Sequence, residues 1–276
     1  MIEAQRALAS VEMSRGDFDA VVQTSQEIIK AQPYSADGFL LKSVAELASQ
    51  KYGDAQKDAE EAMKWAPQSP DPLIMLGRVQ LAQKHYPEAE KLFQQALDKG
   101  PSSPDALAGL MNTYVAQKQY DKAISAANVQ IAKVPNVSNF YDLLGTALYD
   151  GKNDYSGAET ALRKAIDLDK TNMDALQKLG KVQSSHGSPD QALNLYLQAI
   201  KSNPRELSLY ILAGSLYEAK HDWEQAKAMY QQALGISPDN PLASNNLAYV
   251  LLQEGGNIDV ALSMAQTARR GMIRED

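Results

Sequence analysis

The chain has 276 residues, 44% of them hydrophobic and 22% charged, which is ordinary for a folded globular protein. Its net charge is −7 with both signs interspersed, so it lacks the basic stripe of a nucleic-acid reader. It has no cysteine, which removes disulfides, thiolate catalysis and cysteine-based metal sites, and it shows no apolar run long enough to span a bilayer and no signal-peptide pattern.

In chain order the dominant signal is a period. Pro33, Pro67, Pro101 and Pro135 stand 34 residues apart, and Pro204 and Pro238 resume the series after one missed beat at Lys170. A period of this length marks a stacked helical repeat. With each proline at position 32, repeats are predicted at 2–35, 36–69, 70–103, 104–137, 138–172, 173–206, 207–240 and 241–273. Position 20 is then Val21, Ala55, Ala89, Ala123, Ala158, Ala192, Ala226 and Ala261, with one extra residue in the fifth and eighth repeats. Position 27 is Ile28, Ala62, Ala96, Gln130, Ala165, Ala199, Ala233 and Ala268. Position 17 is aromatic in six repeats, from Phe18 to Trp223, and position 8 is glycine at Gly77, Gly145, Gly180 and Gly214.

Local signals divide each repeat into two helices. Ser69-Pro70, Ser103-Pro104 and Asn240-Pro241 read as an N-cap followed by proline at the first helical position. Asp37, Asp71, Asp105 and Asp174 fall in first turns, where the helix dipole favours a negative charge. Arg15-Gly16-Asp17, Gly151-Lys152-Asn153-Asp154 and Gly255-Gly256-Asn257 read as the turns between paired helices, with glycine taking the left-handed backbone. The extra residues of repeats five and eight are expected in these loops. Sixteen helices and no strand are predicted.

This combination of period, small residues, aromatic and proline resembles the tetratricopeptide repeat over residues 2 to about 272. The resemblance implies an all-α fold, a right-handed α-α superhelix or solenoid of about eight helix-turn-helix repeats in one array. It also implies a non-catalytic scaffold that binds a protein or peptide segment in the groove lined by the first helix of each repeat, through positions 2, 5, 9, 12 and 13. Those offsets select Arg6, Leu40, Val44, Ile74, Arg78, Asn112, Asp142, Thr146, Tyr149, Gln177, Lys181, Glu218, Asn245 and Tyr249. Leu47 and Leu81 lie among them, so the groove of repeats two and three is expected to be apolar. The carboxylate clamp of chaperone-binding members is missing, since no repeat pairs lysine at position 5 with asparagine at position 9. An asparagine ladder at position 6 is missing too, with Asn246 alone there.

No cofactor, metal site or catalytic residue is expected. His85, His186 and His221 fall in separate inter-helix turns, and no pair has the spacing of a zinc site. Ten of the thirteen tyrosines take packing positions; Tyr34, Tyr149 and Tyr249 do not, and Trp65 is open to either role.

The last repeat, with Ser244-Asn245-Asn246-Leu247-Ala248-Tyr249, also resembles bacterial repeat proteins of exopolysaccharide export and PEP-CTERM surface-protein sorting. That implies a periplasmic or envelope assembly; without it the expectation is cytoplasmic. The chain stops at Ile273-Arg274-Glu275-Asp276 with no polar capping helix, which repeat arrays need. The expectation is a fragment of a longer array whose C-terminal helices pair with another copy in a homodimer. The alternative function is a structural or regulatory arm of a larger multidomain protein.

Overall fold

A computed structural model describes residues 2–256 and 258–272, with side chains through 269. Met1, Asn257 of the predicted Gly255-Gly256-Asn257 turn, and the closing 273–276 segment lie outside the described residues. The first helices of successive pairs are α1 (Ile2–Ser14), α3 (Ala36–Ala48), α5 (Asp71–Ala82), α7 (Pro104–Ala116), α9 (Ser138–Ala147), α11 (Met173–His186), α13 (Leu207–Ala219) and α15 (Pro241–Gln253). Their partners are α2 (Phe18–Ala31), α4 (Tyr52–Trp65), α6 (Tyr86–Lys99), α8 (Tyr120–Lys133), α10 (Tyr155–Leu168), α12 (Pro189–Ser202), α14 (Trp223–Ile236) and α16 (Ile258–Met272). No strand occurs among the described residues. The helices form two compact bodies, Met1–Lys170 with α1–α10 and Thr171–Asp276 with α11–α16. In each body every helix packs on its chain neighbours, and α3, α5, α7 and α9 also pack successively side by side.

Caps set the helix starts. The Ser103 hydroxyl accepts from the Ala106 amide, and the Asn240 side chain accepts from the Ala243 amide, each satisfying a donor that the helix leaves orphaned. At the third predicted cap the helix starts one residue late: Ser69 Oγ accepts from the Asp71 amide, and Pro70 precedes the helix rather than opening it.

The turns between paired helices share one device that the glycine pattern only partly displays. Position 15 takes a left-handed backbone at Gly16 (φ 72°) and Gly255 (φ 69°), and also at Gln50, Lys84, Lys118 and His221 (φ 57–61°). The tight return into the second helix demands this conformation, and side chains tolerate it at a cost of about 1 kcal/mol each. In repeat five the left-handed residue is Asn153 (φ 54°), not Gly151. The extra residue there does not lengthen the loop. It widens the end of α9 into a π-turn over Leu148–Lys152, closed by the Asp154 amide donating to the Leu148 carbonyl. Gly151 lies so near the Tyr120 ring that a Cβ would stand 2.5 Å from it.

The core follows the repeat. Every residue at positions 20 and 27 is at least nine-tenths buried, Gln130 included, and the Gln130 amide nitrogen donates to the Pro101 carbonyl. Positions 8 and 24 of a repeat are matched in size across its two helices. Gly77 makes room for Phe93, Gly180 for Tyr196, Gly214 for Tyr230 and Gly145 for Leu162; an added Cβ would approach each of those side chains to 2.8 Å or less. Where position 8 is Ala9, Ser43 or Met111, its partner is small: Ser25, Ala59 or Ala127. Such volume compensation keeps one packing density along the array.

Candidate partner-binding groove

In the amino-terminal body, helices α1, α2 and α3 enclose a cleft of about 630 Å³ lined by Arg6, Ala9, Met13, Leu40, Leu41 and Val44, with Asp37 at its rim. Three of the sequence-selected residues, Arg6, Leu40 and Val44, thus meet in one place. Leu40 and Val44 pack one side on the core formed by Ala55, Ala59, Met75 and Val79 and leave the other half open. The cleft also contains Met13, which stands at contact position 12 with Leu47 and Leu81 but was not singled out, and Leu41 at position 6, which the offsets do not cover.

Several selected side chains are committed to holding adjacent helices together. Arg6 pairs with Asp37, and Arg78 with Asp105 at 2.6 Å, each reaching position 2 of the following repeat's first helix. In the other body Gln177 Nε2 donates to Ser208 Oγ at 3.2 Å in the same manner. These bonds are exposed or half-exposed, so each is worth at most about 1 kcal/mol and stays open to exchange for a partner's groups. Glu218 accepts the hydroxyl of the fully buried Tyr230 at 2.8 Å. Ile74 and Asp142 present almost no surface, at 5% and 7% exposure. Ile74 belongs to the core cluster around Phe93 and Leu107, because position 5 of α5 is overlain by neighbouring helices. Neither Ile74 nor Asp142 offers a partner the surface that the offsets implied.

The remaining selected residues are accessible. Asn112, Lys181 and Asn245 are exposed, and Thr146 is half-buried with its hydroxyl bonded to the Asp142 carbonyl. Tyr149 sits on the π-turn, edge-on to Tyr155 at 5.6 Å. Tyr249 is 45% exposed, with its ring 6.4 Å from Trp223. The tyrosine left over in the first inter-repeat loop, Tyr34, is exposed and meets Trp65 edge-to-face at 5.0 Å.

Behind the cleft, α3 and α4 share a buried charge cluster. Lys42 Nζ lies 2.6 Å from Asp58 Oδ2 and 3.3 Å from Glu46 Oε1. Burial, then the Asp58 carboxylate beside it, pushes Glu46 up to about 7 against the pull of Lys42. Burial lowers the Lys42 ammonium, but its hydrogen bond to Asp58 and both nearby carboxylates outweigh that and raise it. Tyr114, half-buried and donating to Glu90 at 2.7 Å, is pushed up to about 12 by burial and by that carboxylate.

Among the described residues no three histidines and carboxylates gather in a metal-binding arrangement, and none of the helices is long and apolar enough to cross a membrane.

Models of the tetratricopeptide repeat family match residues 46–101, 80–146, 138–172 and 211–271. The chain belongs to the tetratricopeptide repeat family. The fold of this family is that of protein-interaction scaffolds, whose members generally bind protein partners. Over 133 residues the chain is 30% identical to BBSome complex member BBS4 of Xenopus tropicalis, spanning 48% of this chain and 26% of that protein. It is 32% identical over 114 residues to cellulose synthase operon protein C of Pseudomonas fluorescens (strain SBW25), spanning 37% of this chain and 9% of that one. The chain thus spans about a quarter or less of these relatives. In structure it is similar to PilF of Pseudomonas aeruginosa, with a TM-score of 0.54 and 21% identity over 73% of this chain and 90% of that one.

Proposed function

We propose that the protein is a non-catalytic scaffold that holds a protein or peptide segment against the first helices of its repeats. The observation that carries this reading is the half-apolar cleft between α1 and α3, rimmed by the exchangeable Arg6–Asp37 pair. Exposed apolar surface of this kind marks interaction sites. The array of eight repeats from 2–35 to 241–273 is part of the same proposal, as are the contacts Arg6, Leu40, Val44, Arg78, Asn112, Thr146, Tyr149, Gln177, Lys181, Glu218, Asn245 and Tyr249. The test is affinity capture of a partner from the native host, followed by Val44→Asp, Arg78→Ala and Tyr149→Ala. Loss of the partner with any of them supports the groove; unchanged binding by all three sinks it.

A second reading concerns the setting. The similarity to cellulose synthase operon protein C, with the Asn245-Asn246-Leu247-Ala248 run in the last repeat, favours a bacterial envelope assembly of exopolysaccharide export. Fractionation of the native cells tests it, and a purely cytoplasmic distribution would count against it. Pairing of two copies through α15 and α16 is the corresponding proposal for self-association, read by sedimentation at high concentration.

A further inference from the structure

A second cleft lies apart from the first-helix groove, between the second helices α6 and α8 with α7 at its floor. Its volume is about 220 Å³, below the roughly 300–1,000 Å³ of small-molecule sites, so it suits one side chain of a larger ligand. Leu97 and Leu110 form its buried base, and Ala126 and the 53% exposed Val129 its apolar wall. Lys122, Ala126, Val129 and Lys133 recur at three- and four-residue steps along α8, which puts them on one face. From α7 the cleft takes Leu110 and Tyr114, at positions 7 and 11, neither of which lines the groove.

Gln130 sets this cleft apart. Position 27 is alanine in six repeats and isoleucine in one, whereas Gln130 places an amide there, 2% exposed. Its Nε2 donates to the Pro101 carbonyl; its Oε1 accepts no hydrogen bond among the described residues, and the side chain lines the cleft. A buried acceptor left open calls for a donor from outside. The same bond frees a lysine. One repeat earlier, Lys99 at position 30 donates to the Pro67 carbonyl at 2.6 Å. Gln130 occupies the equivalent Pro101 carbonyl, and Lys133 at position 30 is exposed and in no ion pair among the described residues.

Lys122 stands at the other end, its Nζ 5.7 Å from the centre of the Tyr114 ring and in no ion pair among the described residues. No carboxylate is part of the lining, but two border it on α6. Glu90 accepts from the Tyr114 hydroxyl at 2.7 Å, and Asp98 from the Gln94 amide at 3.3 Å. Asp121, next to Lys122 in the chain, pairs with Lys152. Glu90 and Asp98 balance the two lysines over the region as a whole, so an anion gains at contact with a lysine and little at long range. The equivalent cleft one repeat earlier is lined by Glu60, Glu88 and Lys91 and has Ala96 at position 27, so it offers an acid neither the charge nor the amide. An open acceptor at the base repels a bare anion, whereas a peptide brings N–H groups beside its carboxylates. A helix bonds its N–H groups internally, so the matching segment is extended. Lys122 and Lys133 stand eleven residues apart, about 16 Å along α8, which an extended chain covers in about five residues.

We propose that this cleft is a second binding site, distinct from the groove, for an extended acidic peptide segment. The carboxylates of the segment meet Lys122 and Lys133, a backbone N–H donates to Gln130 Oε1, and an aliphatic side chain between the acids packs on Leu97, Ala126 and Val129. The test uses the full chain and three end-blocked, fluorescein-labelled peptides of about seven residues. The first has two glutamates at each end and valine-serine-valine between them, so its acids stand about four to six residues apart. The second replaces the glutamates by lysines, and the third replaces the centre by three glycines. By fluorescence anisotropy the first binds at least about tenfold more tightly than either of the others. Lys133→Glu and Val129→Asp, both at exposed positions, each weaken it about tenfold or more. Gln130→Ala installs the residue of the other repeats, keeps the fold by circular dichroism, and weakens the peptide by a similar factor. Lys99→Ala, one repeat earlier, leaves binding unchanged. Equal binding by the three peptides, no binding by any, or wild-type affinity in Gln130→Ala or Lys133→Glu overturns the proposal. Val44→Asp separates this site from the groove, because it leaves the peptide bound. Loss of the peptide in that variant would put the ligand in the groove and overturn the cleft, whereas failure of the peptides alone leaves the groove reading untouched.

Discussion

The buried Lys42–Glu46–Asp58 cluster ties the packing of α3 on α4 to pH. Glu46 is 5% exposed, and burial beside Asp58 raises it from 4.5 to about 7. An acid whose pKa is higher in the folded state binds more protons there than in the unfolded chain, so stability falls as pH rises through that window. Below pH 4.5 both states are protonated and above 7 both are ionised; the loss accrues between. Each factor of ten in proton affinity is worth about 1.4 kcal/mol, so the full effect is at most about 3 kcal/mol. Glu46→Gln keeps the shape and the neutral charge of the protonated form at every pH. Native-state hydrogen exchange of α3 and α4 at pH 5 and pH 8 reads the effect locally, where repeat arrays do not unfold as one unit. The wild type should lose protection in these helices, corrected for intrinsic exchange, between the two values. Glu46→Gln should stay level and exceed the wild type at pH 8 by about 1–3 kcal/mol. Parallel pH profiles for the two proteins would refute the assignment.

Four further outcomes follow from the packing and the turns. Gly109→Ala places a Cβ 2.1 Å from Phe93, which is fully buried, and should cost about 1–3 kcal/mol in urea denaturation. Gly235→Ala meets nothing within 4 Å in the last turn of α14 and should stabilise by up to about 1 kcal/mol. A similar response at both sites would contradict the close approach of the Phe93 ring to the α7 backbone at Gly109. Lys118→Gly relieves a left-handed side-chain position (φ 60°) and should gain about 0.5–1 kcal/mol, with a lower melting temperature as the contrary result. Ser244 Oγ is fully buried with no hydrogen-bond partner among the described residues, so Ser244→Ala should be neutral or stabilising by about 1 kcal/mol; a loss above that would mean the hydroxyl is satisfied in solution.

The amino-acid sequence by itself determined the all-α class, the family, the alternation of helices and the small residues of the core. These depend on short-range patterns repeated many times: a proline past six of the second helices, mostly alanines at positions 20 and 27, and capping serines and asparagines. Repetition averages away local exceptions, which is why Gln130 among alanines and Pro189 among aromatics did not obscure the period. The size match between positions 8 and 24 was legible there as well, because both partners lie within one repeat.

The tertiary structure decided what each selected side chain is free to do. Offsets along a helix place Ile74 and Arg78 on one face alike, but neighbouring helices bury the first and leave the second able to reach Asp105. Glu218 holds Tyr230, and the extra residue of repeat five forms a π-turn carrying Tyr149 instead of a longer loop. The left-handed lysines at 84 and 118 could not be read from residue type, since the turn imposes that conformation whatever side chain sits there. Contacts within a repeat are written in its sequence, while exposure depends on what the next helices cover.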